Sequence, residues 1–380
     1  MALFSAATSY LGVDVDSHSV KIVELKNDRG RPRLLTYGYF DHPLDYQSKD
    51  DSEQDLRMTA GLIRETVRKA KVGSRVAISA LPAFSVFSSV ITLPELSAKE
   101  LAAAVRWEAK KVIPLPIDEM NLHWDILPTD APVAVADGKA SGHTPNDPEK
   151  LSFNGMRFFG KMVHRKQAGN TRVLLTAAPK ALVRRYLTLF REAGLTLLAL
   201  DTESFSLVRS LIGSDPATVM LVDMDFTVTN IMIAQNGVPY LNRSINVGGL
   251  TITRGIATAL NVSLDRAEQL KYDIGMQQGT AAGSIPTTIV QALAPVVDEI
   301  RYSLNLYRSQ GRPPIERVIL TGGSSLLANL PQYLGNLLQL RVFLGDPWAR
   351  VICPEELKPA LDEIGPRFSV AIGLGMKEIS

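Results

Sequence analysis

Tyr10-Leu-Gly-Val-Asp14-Val-Asp16-Ser17-His18-Ser19-Val-Lys21-Ile-Val-Glu-Leu25 reads as strand, polar turn, strand. Branched apolar residues flank a turn of Asp, Ser and His, side chains that bond their own backbone. The same pattern returns at 218–223 and 229–234, around Asp223-Met-Asp225-Phe-Thr227-Val-Thr229. A third turn, Thr321-Gly322-Gly323-Ser324-Ser325, follows the apolar strand Val318-Ile-Leu320. The chain therefore looks like two similar α/β halves.

Around these turns the periodicities agree. Leu56, Ala60, Ile63 and Val67 form one helical stripe over 55–70, Gly73 stops it, and a strand follows at 76–81. A strand at 85–93 leads to Ser97-Ala-Lys-Glu100, a capping box that opens a helix with Leu101, Val105, Ala109 and Val112 inward. Pro114 and Pro116 end that helix, and another strand is expected at 122–127. The segment 128–154, rich in Ala, Asp, Gly, Pro and Ser, reads as a flexible surface loop. Strands are expected at 156–165 and 171–177, then a helix with Pro179 as its first residue, ending at Gly194. Val297, Ile300, Leu304 and Tyr307 mark a helix over 292–309.

Composition narrows the function classes. With 380 residues the chain has room for at least two domains. One cysteine, Cys353, excludes a disulfide framework, and the five histidines at 18, 42, 123, 143 and 164 lack metal-type spacing. A net charge of +2 is too balanced for nucleic-acid binding. There is no apolar run of the ~18 to 20 residues that span a bilayer, and the first ten residues do not read as a signal peptide. A cytosolic protein that touches membranes only through partners is expected.

Two hairpin turns facing across a cleft could grip the phosphates of a nucleotide, with Asp14 and Asp223 holding Mg²⁺ mainly through water. Gly322 and Gly323 would let the chain pass close to a base or ribose. Lys21 reads equally as a phosphate contact or a solvated strand residue. Glu203 is a candidate for orienting an attacking water, although a helix-surface carboxylate is the plainer reading. His18 reads as an exposed turn residue.

The order of these turns, with Gly248-Gly249 and Ala267-Glu268-Gln-Leu-Lys271 between the second and third, resembles the actin-like ATPase superfamily. Within it the chain resembles the PilM family of type IV pilus assembly, related to FtsA. The resemblance is carried by Leu11-Gly-Val-Asp-Val, Ser19-Val-Lys-Ile-Val-Glu-Leu, Leu93-Pro-Glu-Leu and Trp107-Glu-Ala-Lys-Lys-Val-Ile-Pro-Leu-Pro-Ile. Ala178-Pro-Lys, Leu200-Asp-Thr-Glu, Leu320-Thr-Gly-Gly-Ser-Ser and Phe368-Ser-Val-Ala-Ile-Gly-Leu-Gly continue it end to end.

The resemblance implies an α/β, actin-like (ribonuclease H-like) two-lobed fold with an FtsA-type subdomain inserted in the first lobe. The first lobe would comprise 1–84 and 166–204, the partner-binding insert 85–165, and the second lobe 205–380. It implies a cytoplasmic scaffold, peripheral to the inner membrane, that binds the N-terminal cytoplasmic tail of PilN. Pilus motor ATPases and further copies of the chain are other implied partners. ATP and Mg²⁺ would bind through Asp14, Asp16, Ser17, Ser19, Lys21, Asp223, Asp225, Thr227, Thr229, Gly248, Gly249, Glu268, Lys271, Gly322, Gly323 and Ser324. An active ATPase or small-molecule kinase and an FtsA-like filament former are the alternatives.

The sequence departs from the family at Asp16 and Asp225, where glycine is usual. Charges ~5 Å apart at an effective dielectric near 20 repel by roughly 3 kcal/mol, so these aspartates either weaken ATP binding or join in holding Mg²⁺. Slow ATPase activity at most is expected.

Overall fold

The computed structural model describes residues 9–46, 53–113, 115–127, 171–277 and 284–379. β1 (Ser9–Val15) and β2 (Ser19–Asp28) pair antiparallel in a register that sets Asp14 opposite Lys21. β3 (Arg31–Asp41) extends this meander, and α1 (Glu53–Lys69) crosses to β4 (Val76–Leu81), parallel to β1. The predicted stripe of α1 is buried against Leu11, Val13, Val20 and Ile22 of the sheet.

The chain then leaves this sheet. A short turn of helix over 83–85 precedes β5 (Phe87–Leu93), so the strand starts two residues later than its composition suggests. α2 (Ala98–Val112), β6 (Met120–Leu127) and β7 (Thr171–Pro179) complete a separate antiparallel sheet in the order β5-β7-β6. Leu101, Val105 and Ala109 bury α2 against it, and the capping box forms, with Ser97 N–H donating to Glu100 Oε2 at 3.0 Å. Pro179 ends β7 and caps the next helix without entering it, because α3 (Lys180–Glu192) starts one residue on. β8 (Thr196–Thr202) then joins β4, giving the order β3-β2-β1-β4-β8. The expected loop over 128–154 and strand over 156–165 lie outside the described residues.

α4 (Glu203–Leu207) and a wider helical turn over 208–212 lead into the second half. β9 (Val219–Met224), β10 (Thr229–Gln235) and β11 (Val238–Ile245) form its meander. α5 (Gly249–Leu260), α6 (Leu264–Ile274) and α7 (Ser284–Ser309) follow. α7 starts before the predicted 292, and runs through Pro295, because Ile285 and Ile289 bury on the same core as Leu293, Val296 and Ile300. β12 (Arg317–Thr321), α8 (Leu330–Leu338) and β13 (Arg341–Leu344) close the sheet in the order β11-β10-β9-β12-β13. Both five-stranded sheets thus consist of an antiparallel meander with two parallel strands added. This is the duplication that the two similar turns signalled.

α9 (Lys358–Ile364) and α10 (Ser369–Met376) return to the first half. Val370 and Leu374 share a core with Ile78 and Ala80 of the first sheet and Val219 and Leu221 of the second, so α4 and α10 lie between the sheets. Every residue of α10 is buried. A side chain at Gly12 would put Cβ 2.0 Å from Ala371 O, and one at Gly373 would put it 2.0 Å from Ser206 O. Glycine is required at these crossings for close approach. Buried Asp201 pairs with Arg209 at 2.8 Å and Lys377 at 3.2 Å, and Arg209 donates to Gly373 O, fixing the crossing of the two helices. Phe368, Ala371 and Ile372 also pack with Val23, Leu25 and Leu34, so the contacts of the C-terminal segment cross from one half to the other.

Candidate functional site

Asp14 and Lys21 are opposed in the β1–β2 ladder, which brings Lys21 Nζ 3.1 Å from Asp14 Oδ2. Asp16 folds back over the turn. Its Oδ1 accepts His18 N–H and Ser19 N–H, each at 2.6 Å, and its Oδ2 accepts Ser19 Oγ–H and Lys21 Nζ–H, each at 2.6 Å. Lys21 is neither a solvated strand residue nor a free phosphate contact; it is 4% exposed and bonded to its own hairpin.

The second turn is built differently. Asp223, one residue before the end of β9, sits opposite Asn230, and its buried Oδ2 has no hydrogen-bond partner. Asp225 N–H donates to Val228 O at 3.0 Å, while Asp225 O accepts from Gly249 N–H at 2.9 Å and Ser324 Oγ–H at 3.2 Å. Phe226 O takes Leu250 N–H, so the start of α5 is satisfied by this turn. A Cβ on Gly248 would sit 2.5 Å from Asp225 O, and one on Gly322, at φ +81°, 2.5 Å from Met224 O. These glycines let three loops of the second half close on one another. Thr229 Oγ–H donates to Val247 O and ties the same loop.

The two turns meet directly. Ser17 Oγ lies 3.0 Å from Thr227 Oγ1, and the His18 ring stacks on Phe226 with centroids 3.5 Å apart. His18 is therefore buried, not exposed, because the other half supplies an aromatic face that its own turn lacks. Arg367 reaches Asp41 of β3 at 2.5 Å and lies over Tyr39. Local sequence gave no signal for this latch; only the fold brings its residues together.

Glu203, the first residue of α4, turns inward to accept Ala83 N–H at 2.8 Å and Asn230 Nδ2–H at 3.3 Å. It is not a surface carboxylate. Burial and the charges of Asp14 and Asp225 push its carboxyl well above the usual range, and burial with Asp225 and Glu203 does the same to Asp223. For Asp225, burial with Asp16 and Asp14 outweighs Lys21 and raises it to about 7. Burial also raises Asp14 against the pull of Lys21. Asp16 goes the other way: Lys21 and the bonds from Ser19 and His18 outweigh burial and bring it down to about 2. Lys21 answers both Asp14 and Asp16, and their charges outweigh its burial and hold its ammonium well above the usual range. The remaining acids drift toward their neutral forms.

Lys271, 1% exposed, donates to both oxygens of Glu268 at 2.8 and 2.7 Å and to Thr253 Oγ1 at 3.1 Å. Tyr272 O–H donates to Gly323 O at 3.3 Å. The residues expected to meet a nucleotide are thus gathered, but their donors are largely spent on each other. With the turns in contact, the arrangement does not fit a polyphosphate as it stands. Among the described residues, no group of three or more His, Cys, Asp or Glu side chains is placed to ligate a metal directly.

The chain matches the family model of the type IV pilus assembly protein PilM over residues 12–136 and 158–379. A solved PilM-PilN type IV pilus biogenesis complex contains a chain 24% identical, with 98% of each chain covered and a TM-score of 0.76. The ethanolamine utilization protein EutJ from Carboxydothermus hydrogenoformans is 14% identical over 100% of this chain and 92% of its own, at a TM-score of 0.51. The cell division protein FtsA of Rhizobium meliloti (strain 1021) is 28% identical over 176 residues, 40% of this chain and 38% of its own. The chain thus spans well under half the length of the curated relatives it matches. The fold is the actin-like, two-lobed one.

Proposed function

Since the chain belongs to the PilM family of type IV pilus assembly proteins, we propose that it is a scaffold that captures the N-terminal cytoplasmic tail of PilN. It works on the cytoplasmic face of the inner membrane, where partners hold it; among the described residues no helix is long and apolar enough to cross a membrane. The insert over 85–165 supplies the docking surface in this reading. Its strands β5 and β6 pair on either side of β7, which lies past 165 at Thr171–Pro179, and α2 packs on that sheet, with Trp107 of α2 65% exposed and Phe84 just before β5 64% exposed. Motor ATPases and further copies of the chain extend the partner set.

What favours binding over turnover is the direct contact of the two turns. Asp14 and Asp223 are the residues that would hold Mg²⁺ through its water shell, and Mg-ATP binds weakly because the turns must first part. Glu203 Oε2 already accepts Ala83 N–H and Asn230 Nδ2–H, which ties this carboxyl to the protein rather than leaving it free to orient a water. Slow ATPase activity at most follows.

Titrating the full chain with a PilN-tail peptide, with and without Mg-ATP, tests this. Saturable tail binding that Mg-ATP changes little is expected. No tail binding would overturn the scaffold, and transfer of γ-phosphate to a supplied sugar would favour the kinase.

A further inference from the structure

Four donors converge on one carboxylate in the β1–β2 turn: two successive backbone N–H groups, the Ser19 hydroxyl and the Lys21 ammonium, all 2.6 Å from Asp16 oxygens. Successive N–H groups with a lysine are the set with which a backbone nest holds a phosphoryl group. Here the anion in the nest belongs to the chain. Lys21 makes its other ion pair with Asp14, inside the same hairpin.

We infer that Asp16 is a built-in anion occupying the phosphate nest of the cleft, and is the residue that decides against tight nucleotide binding. The inference deepens the scaffold reading and rests on it for the identity of the cleft. It differs from simple charge repulsion in a testable way. Repulsion is relieved by any neutral residue at position 16. Occupancy is relieved only when the side chain stops filling the nest, and an amide, which keeps an acceptor for His18 and Ser19 N–H, still fills it. A phosphate entering the native turn must displace Asp16 from all four donors and face Asp14, Asp223 and Asp225 as well.

Calorimetry of the full chain with Mg-ATP, and separately with inorganic phosphate, tests this on the native protein, Asp16→Gly and Asp16→Asn. Releasing charged and backbone donors should tighten Mg-ATP binding roughly thirtyfold in Asp16→Gly and make phosphate binding measurable, with a gain under about threefold in Asp16→Asn. Equal gains in the two variants would show that charge alone matters and overturn the inference. So would no gain in Asp16→Gly, or native affinity already as tight. If Asp16→Gly does not fold, Asp16→Ser, whose shorter side chain keeps a turn-forming oxygen, replaces it with the same expectation relative to Asn. PilN-tail titrations on the same samples keep the two readings apart. Loss of tail binding by the native chain overturns the scaffold, whereas the order of the Asp16 variants bears only on the nest.

Discussion

Lys21 is the cation of a buried hairpin, and removing it leaves Asp14 and Asp16 facing each other without a counter-charge. Lys21→Met should therefore destabilise the protein by roughly 3 to 5 kcal/mol in urea denaturation, as for other buried pairs broken from one side. Asp225 gives a pH dependence of the opposite kind. Its carboxyl rises from 3.8 to about 7 on folding, so between those values the native state keeps a proton that the unfolded chain has lost. Stability from this group falls as pH rises from about 4 to 7 and levels off above. Asp225→Asn should flatten that slope and raise stability at pH 8 by roughly 1 to 3 kcal/mol, read from urea midpoints across the range. The sequence made the acids and Lys21 legible as residue types. It did not reveal that Asp16 points back into its own turn, because glycine-like and capping roles for aspartate share one turn signature. His18, Phe226, Asn230, Asp41 and Arg367 were beyond its reach, since each gains meaning from a partner far along the chain.

Elements were more legible than contacts, because periodicity reports burial directly. The α1 stripe, the Ser97–Glu100 box and the β9–β10 hairpin follow from spacing alone. The start of α7 did not: the stripe read from the sequence begins at 292, whereas Ile285 and Ile289 bury on the core and carry the helix back to Ser284. Turn glycines separate into two kinds. Gly322→Ala meets both positive φ and a backbone oxygen, whereas Gly311, at φ +66°, has nothing within 4 Å. The first should cost roughly 2 to 4 kcal/mol and the second roughly 1, compared by thermal and chemical denaturation. The inserted sheet sets its own limits on dissection. β7 pairs with both β5 and β6, so deleting 88–160 would strand Val173, Leu175 and Ala177 without neighbours. Removing 83–179 with a short linker takes the whole sheet. It should leave a folded two-sheet core by circular dichroism and gel filtration, without PilN-tail binding; intact tail affinity would place the docking surface elsewhere.

At the scale of the molecule, two similar sheets clasp α4 and α10, and the paired turns and the Asp41–Arg367 bridge close the far side. A disulfide between Ser17→Cys and Thr227→Cys, in a Cys353→Ser background, should form readily where the native oxygens are 3.0 Å apart. The cross-linked protein should keep tail binding and lose Mg-ATP binding in parallel titrations, and reduction should restore the weak nucleotide affinity. The packing of α10 on Gly12 also carries a consequence for biosynthesis. At ~5 to 20 residues per second, roughly 20 to 70 seconds separate the translation of Gly12 from that of Ala371. Until Ala371 emerges, the face of β1 that α10 covers stays bare, even after β8 has completed the first sheet at Thr202, a client for whatever shields nascent chains. A truncated product that lacks α10 keeps that face of β1 uncovered, and should aggregate where the full chain does not.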